Sequence, residues 1–153
     1  MTPPWTVEAR WTMRRRFEAH SPTPAVVQMD ARADSGGDST APTPMETVLI
    51  ALAGCTGMDV VGILEKMRAP LRTLTVRVSG ERAQIHPKVF TKIHIRYECG
   101  GPGLTTSQVE RAVRLSQEKY CSVAAMLRPA VPLTYETVLL GSDESGERVA
   151  RAG

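Results

Sequence analysis

Three cysteines, Cys55, Cys99 and Cys121, carry the most reactive side chains in this 153-residue sequence. A free thiol ionises near pH ~8.5, and the thiolate is both a nucleophile and a metal ligand. Three is an odd number and no cysteine stands in a CxxC pair, so neither a disulfide scaffold nor a zinc ribbon is indicated. Thiols kept for chemistry in a reducing cytosol are one reading, and inert buried hydrophobes are the other. Cys55 lies within LAGCTGMDV, where Ala53, Gly54, Thr56 and Gly57 leave space beside the sulfur for a substrate or for another backbone. Cys121 stands where one helical pattern ends and another begins. If Cys121 or Ser122 caps the second segment, free N–H groups face the sulfur and lower its pKa. Cys99 takes the apolar phase of a strand beside Gly100-Gly101 and reads as packing.

Other polar groups have quieter readings. Asp59 follows Cys55 by four residues, on the same helix face, and reads as a structural polar contact. His20, His86 and His94 are far apart, and no His/Cys spacing resembles a metal site.

The elements that must position these side chains follow from periodicity and punctuation. Val7, Ala9, Trp11 and Met13 alternate with polar residues, which predicts a strand with one buried face. Arg15 to His20 and Ala25 to Asp30 read as two further strands, and residues 33–44 as a loop rich in Gly, Ser, Pro and Asp. Thr43-Pro44-Met45-Glu46 opens a helix with Thr at the N-cap, Pro at N1 and Glu at N3, a capping box with a favoured proline. That helix runs to about Met67, before Pro70. Leu74, Val76 and Val78 share one face of a strand, and Thr91, Ile93, Ile95, Tyr97 and Cys99 one face of the next. A second helix begins near Thr106 or Ser107, with Glu110 placed for a capping box, and runs to about Tyr120. A short helical turn follows Cys121, and Leu133 to Leu140 is the last strand. The order β-β-β-α-β-β-α-α-β predicts an α+β fold, one domain over 1–140, and a polar, frayed tail over 141–153.

Composition excludes several classes of function. The formal charge is only +3, and no Lys/Arg block is interleaved with aromatics, so nucleic-acid binding is not indicated. No secretory signal is seen between Met1 and Arg16, and the chain reads as cytoplasmic. Thr47 to Leu64 is 18 residues with a single charge, Asp59, but the central carboxylate and three glycines fit a buried protein helix better than a membrane span. The run is more apolar than one face of a small sheet can hide, which predicts a homodimer.

Three stretches carry a family resemblance. Pro44-Met45-Glu46 ahead of the apolar helix, Gly54-Cys55-Thr56-Gly57-Met58-Asp59-Val60-Val61, and Glu118-Lys119-Tyr120-Cys121-Ser122-Val123-Ala124-Ala125-Met126-Leu127 together resemble an OsmC-like branch of the OsmC/Ohr family, the osmotically inducible and organic-hydroperoxide-resistance proteins. HPKVFTKIHIRYE, between the two cysteines, fits the same branch, and the resemblance runs from about Trp5 to Leu140. It implies antiparallel sheets packed around two main helices in an intertwined homodimer, with each site at the subunit interface. It implies a thiol-dependent peroxidase that reduces organic hydroperoxides, with Cys55 as the attacking thiol and Cys121 as the resolving one. No metal or bound cofactor is required, and a small dithiol or other thiol closes the cycle.

The resemblance also implies an arginine from the N-terminal hairpin, for which Arg14, Arg15 and Arg16 are candidates; Arg16, preceding Phe17, fits best. It implies a glutamate at the start of the cysteine helix, for which Glu46 is the candidate. The family's glutamate stands ten residues before the first cysteine, where this sequence has Met45. Glu46 is one residue later, about 100° around a helix of ~3.6 residues per turn. Aliphatic residues near the cysteines (Leu49, Leu52, Met58, Met126 and Leu127) are expected to form an apolar pocket. A non-catalytic dimer binding a small apolar ligand in the same crevice is the alternative reading.

Overall fold

The computed structural model describes residues 2–142 and 148–152. Two compact units make up the chain, Met1–Val48 and Leu49–Gly153. Among the described residues, the first three strands bond only to one another and form a sheet of their own.

In the N-terminal unit, β1 (Glu8–Met13), β2 (Arg16–His20) and β3 (Val26–Met29) form an antiparallel meander in which Trp11 faces Phe17 and Phe17 faces Met29. The strand periodicity is as expected, but the burial is not. All six residues of β1 are exposed, including Trp11 and Met13, so the predicted buried face has no cover from the described residues. The loop over 33–44 is tied down by Asp30, whose Oδ2 accepts from the Asp38 amide at 3.2 Å, the Thr40 amide at 3.1 Å and the Thr40 hydroxyl at 2.7 Å.

Helix α1 (Pro44–Lys66) starts with the expected capping box: the Thr43 amide donates to Glu46 Oε2 at 2.7 Å and the Glu46 amide donates to Thr43 Oγ1 at 3.2 Å. Its buried residues are Leu52, Thr56, Val60 and Leu64, a stripe at four-residue spacing. This stripe packs in the core of the second unit with Ile93, Ile95, Tyr97 and Cys99. By length and composition α1 could cross a bilayer, yet its apolar length serves a protein core on this stripe.

The second unit holds a sheet of β4 (Thr73–Arg82), β5 (Phe90–Gly100), β6 (Leu133–Ser142) and β7 (Arg148–Ala152), in that order. β5 is an interior strand of this sheet, between β4 and β6. Ile93, Ile95, Tyr97 and Cys99 are buried at alternate positions, matching the sequence periodicity. The α+β class holds, with one feature the pattern did not reveal: β5 and β6 are parallel. A parallel pair needs a crossover. Here it consists of α2 (Thr106–Leu115), a π-helical turn (Ser116–Tyr120) and α3 (Ser122–Leu127). The α2 cap also differs from expectation. Thr105 is the N-cap and Gln108, not Glu110, completes the box, with reciprocal bonds of 3.2 and 3.1 Å. Of the tail expected over 141–153, residues 143–147 and 153 lie outside the described residues; Gly141 and Ser142 complete β6, and β7 pairs with it antiparallel.

Leu52 anchors the turn of α1 that carries Cys55. Truncating a buried leucine costs transfer energy plus a cavity, so Leu52→Ala should lower unfolding free energy by about 2–5 kcal/mol, read from urea unfolding of the reduced protein.

Candidate functional site

Helix geometry puts Cys55 and Asp59 one turn apart on α1, at the edge of its buried stripe. The crossover brings Cys121 to them. The Cys55 Sγ, the Cys121 Sγ and an Asp59 carboxylate oxygen all lie within 4.8 Å of one another. Both cysteines are free thiols; Cys55 is half-buried and Cys121 is buried. A disulfide needs its sulfurs near ~2.05 Å, so the pair is close but not bonded.

The π-helical turn positions Cys121. Widening the helix by a residue turns Ser116 and Gln117 inward together, and both are buried. The chain then leaves helical geometry at Cys121 (φ −69°, ψ 102°), whose amide still donates to the Ser116 carbonyl at 2.8 Å. Cys121 becomes the N-cap of α3, and its Sγ accepts from the Ala124 amide at 3.4 Å. The capping position is as expected, but its electrostatic consequence is not. Burial pushes the Cys121 thiol up to about 11; the Ala124 amide opposes the shift, and Cys55 and Asp59 add to it. A six-residue helix with one amide aimed at the sulfur does not offset removal from water beside other electron-rich groups.

Asp59 takes its hydrogen bond from a hydroxyl rather than from an arginine or lysine. Ser116 Oγ donates to Asp59 Oδ2 at 2.9 Å, the first link of a buried network. Thr56 Oγ1 is 2.8 Å from Ser116 Oγ and 2.6 Å from the Tyr97 hydroxyl. Gln117 Nε2 donates to Tyr97 OH at 2.7 Å and to Thr56 Oγ1 at 3.1 Å. Arg128 holds the other end of the amide, donating to Gln117 Oε1 at 3.1 Å. One proton per hydroxyl then fixes every direction. With the Asp59 carboxylate as acceptor, the Ser116 proton is committed to it, so Thr56 donates to Ser116. The Thr56 proton is then used, so Tyr97 donates to Thr56. The chain runs Tyr97 to Thr56 to Ser116 to Asp59, and Arg128 sets the Gln117 amide the only way that feeds it.

Sequence reasoning missed Thr56, Tyr97, Ser116, Gln117 and Arg128. The available signal was Tyr97: a phenol on the buried phase of a core strand needs a partner for its hydroxyl.

The remaining candidates fall elsewhere. Cys99 is fully buried in the core and pushed up to about 11 by burial alone, as fits packing. Arg16 and Glu46 belong to the N-terminal unit, each with a local partner: Arg16 Nη2 donates to Gln28 Oε1 at 2.7 Å, and Glu46 is engaged by Thr43. The Thr43 amide bond holds the Glu46 carboxyl below its ordinary value, with a smaller contribution from the Arg32 charge. Arg32 and Glu46 also line a common recess with Ser39 and Thr43, a juxtaposition the sequence did not suggest. Arg14 pairs with Asp38 at 3.0 Å. The expected apolar pocket is dispersed: Leu52 is core, while Met58 and Met126 are 77% and 80% exposed. A cavity of about 360 Å³ opens beside Asp59 instead, lined by Met58, Ile63, Lys66, Arg111 and Tyr120 among others.

Burial of neutral acids makes this unit sensitive to alkali. Cys99 is raised from 9.0 to about 11 and Tyr97 from 10.0 to about 12, the latter by burial against the opposing pull of Thr56 and Gln117. Both protons are held more tightly by the folded chain, so their contribution to stability is complete below the unfolded pKa values and is lost as pH rises through the folded ones. Urea unfolding of the reduced protein should therefore show stability falling from about pH 9 toward pH 12. Tyr97→Phe should flatten the part above pH 10. At neutral pH it should cost about 1–3 kcal/mol, because Gln117 loses a buried acceptor and Thr56 a donor.

Comparison with known proteins gives a consistent picture. A family model described as "OsmC-like protein" matches residues 36–136. Protein YhfA of Escherichia coli K12 is 41% identical over 131 residues, which span 84% of this chain and 95% of that protein. A crystal structure of a hypothetical protein from Aquifex aeolicus is similar with a TM-score of 0.76 and 28% identity, covering 90% of this chain and 98% of the other. An organic hydroperoxide resistance protein from Legionella pneumophila shares the fold with a TM-score of 0.66 at 14% identity, covering 90% of this chain and 98% of its own.

Proposed function

This chain belongs to the OsmC-like protein family, and we propose that it is a thiol-dependent peroxidase reducing organic hydroperoxides to alcohols. The observation that carries the reading is the approach of two free thiols, Cys55 and Cys121, within 4.8 Å across a chain separation of 66 residues (121 − 55). The Cys55 thiolate attacks the terminal peroxide oxygen, the O–O bond breaks, and the alkoxide takes a proton and leaves as alcohol. Cys55 is then a sulfenic acid. The Cys121 sulfur attacks it, hydroxide leaves as water with the Cys121 proton, and a Cys55–Cys121 disulfide remains. A small dithiol or another thiol reduces that bond by exchange.

Exposure supports the order of attack. Cys55 is half-buried and reachable, whereas Cys121 is 2% exposed and held protonated near neutrality by burial. A peroxide meets Cys55 first. Cys121 needs only to meet a sulfur already beside it. In this reading Arg16 polarises the peroxide and Glu46 orients an arginine. Arg32, whose charge reaches Glu46, is a second candidate for that partner.

The homodimer belongs to the same reading. Trp11, Met13, Val26 and Val27 on the first sheet and Ile50 on α1 are exposed, and a second copy would cover such surfaces. A cytoplasmic setting, where thiols stay reduced, fits the three free cysteines. The engagement of Glu46 by the helix cap favours one alternative, a non-catalytic dimer holding a small apolar ligand.

Cumene hydroperoxide separates the two. The peroxidase should consume it with a dithiol present, and intact mass should show a Cys55–Cys121 disulfide without one. Cys55→Ser should abolish turnover, Cys121→Ser should leave Cys55 sulfenic or over-oxidised, and Cys99→Ser should be nearly silent. No peroxide loss and no disulfide would overturn the peroxidase. Arg16→Met and Arg32→Met, compared by kcat/KM, should identify the polarising arginine by a loss of about 10²-fold, the scale of one transition-state donor.

A further inference from the structure

The three electron-rich atoms at the site form a ligand set as well as a redox pair. The Cys55 Sγ, the Cys121 Sγ and an Asp59 oxygen lie within 4.8 Å of one another. Around a tetrahedral zinc ion, Zn–S bonds of ~2.3 Å and a Zn–O bond of ~2.0 Å put such donors roughly 3.5–3.8 Å apart, so contraction by about 1 Å closes the set. We propose that the reduced Cys55–Cys121 pair, together with Asp59, binds a thiophilic divalent cation of the zinc class, and that cation and disulfide exclude each other at this site.

Several observations support this beyond proximity. Two sulfurs and one carboxylate oxygen are a soft-weighted donor set, which selects Zn²⁺ or Cd²⁺ over Mg²⁺ or Ca²⁺. The carboxylate is already held in place: Ser116 donates to Asp59 Oδ2 at 2.9 Å. Ser116 is in turn held by Thr56, which Tyr97 and Gln117 hold, the outer-shell support that metal-binding carboxylates usually have. Cys121 is fixed as a helix cap. Asp59 also lines the cavity of about 360 Å³. Two thiolates and a carboxylate carry one negative charge in excess of a divalent cation, and Lys66 and Arg111 line the same cavity.

The step balances without any oxidant. The cation displaces one proton from each thiol and forms two metal–sulfur bonds; both sulfurs keep their oxidation state, and a fourth coordination position is left for solvent. With its lone pair shared with the metal, Cys55 is withdrawn from attack on a peroxide. The binding needs only reduced thiols, so it stands or falls apart from the peroxidase reading.

Cd²⁺ titration of the reduced, metal-free protein, without peroxide, tests the site. The expected result is a thiolate-to-cadmium charge-transfer band saturating at one ion per chain, with two protons released per ion. Zn²⁺ should displace the band. Cys55→Ser or Cys121→Ser should each weaken binding by more than 10²-fold and Asp59→Asn by about tenfold, while Cys99→Ser should match the wild type. The unmutated chain gives a second reading that avoids any folding defect: saturating Zn²⁺ should slow alkylation of Cys55 by N-ethylmaleimide at least tenfold, located by mass. Absence of the band, a band unchanged in Cys121→Ser, or Cys55 alkylation unaffected by Zn²⁺ would each overturn the proposal. A protein that binds the cation and leaves cumene hydroperoxide intact keeps this site and loses the peroxidase; the reverse result does the opposite.

Discussion

A phenol buried in an apolar interior must find a partner, and in this protein Tyr97 finds Thr56 at 2.6 Å. That contact joins the central strand of the main sheet to the helix that carries Cys55. Leaving either hydroxyl unpaired would cost on the order of 1–3 kcal/mol, a large fraction of a domain's net stability. The bond also sets a rotation. With Thr56 turned toward Tyr97, Leu52, Val60 and Leu64 share the buried stripe, and Cys55 and Asp59 fall at its rim. Helix phase at the site is thus fixed by a polar contact inside an otherwise aliphatic core.

The same network reaches across the crossover. Ser116 and Gln117 enter it because the helix widens into a π turn at their position, and this widening also ends the helix at Cys121. Ordering Ser116 and Gln117 and delivering Cys121 to Cys55 are one structural event. The result is an asymmetric pair. Cys121 sits behind the network, buried and protonated near neutrality, and Cys55 stands at the rim. Local burial separates their chemistry more than any difference in sequence context does.

Much of this fold was legible in the sequence because its signals are local. The capping box at Thr43, the alternation from Ile93 to Cys99 and the break at Cys121 each rest on a few neighbouring residues. What was not legible depends on partners distant in the chain. The pattern of β1 promised a buried face, and its strand periodicity is real, but cover for that face is not supplied by neighbours in sequence. The parallel pairing of β5 with β6 follows from the length of the crossover and not from the composition of either strand. The cysteine pair was legible through family resemblance, but its surroundings were not. Thr56, Ser116 and Gln117 are unremarkable residues singly and form a network only when three segments meet.

Asp59 lies where the network and the cysteine pair meet. A carboxylate beside Cys121 works against ionisation of that thiol, since like charges in a poorly solvated site repel. A site built only to hold a reactive thiolate would do better with a cation there. Yet three hydroxyls and an amide are spent on presenting this carboxylate, with the hydroxyl protons all directed toward it. Such an arrangement keeps the reduced pair neutral at Cys121 until something positive or electrophilic arrives. A sulfenic acid at Cys55 would be one such arrival, because its sulfur is electron-poor and the Cys121 sulfur lies within 4.8 Å. A soft cation is another, and it would turn the same repulsion into shared coordination. The carboxylate therefore makes physical sense as a group that helps keep Cys121 neutral and favours whichever state relieves the crowding.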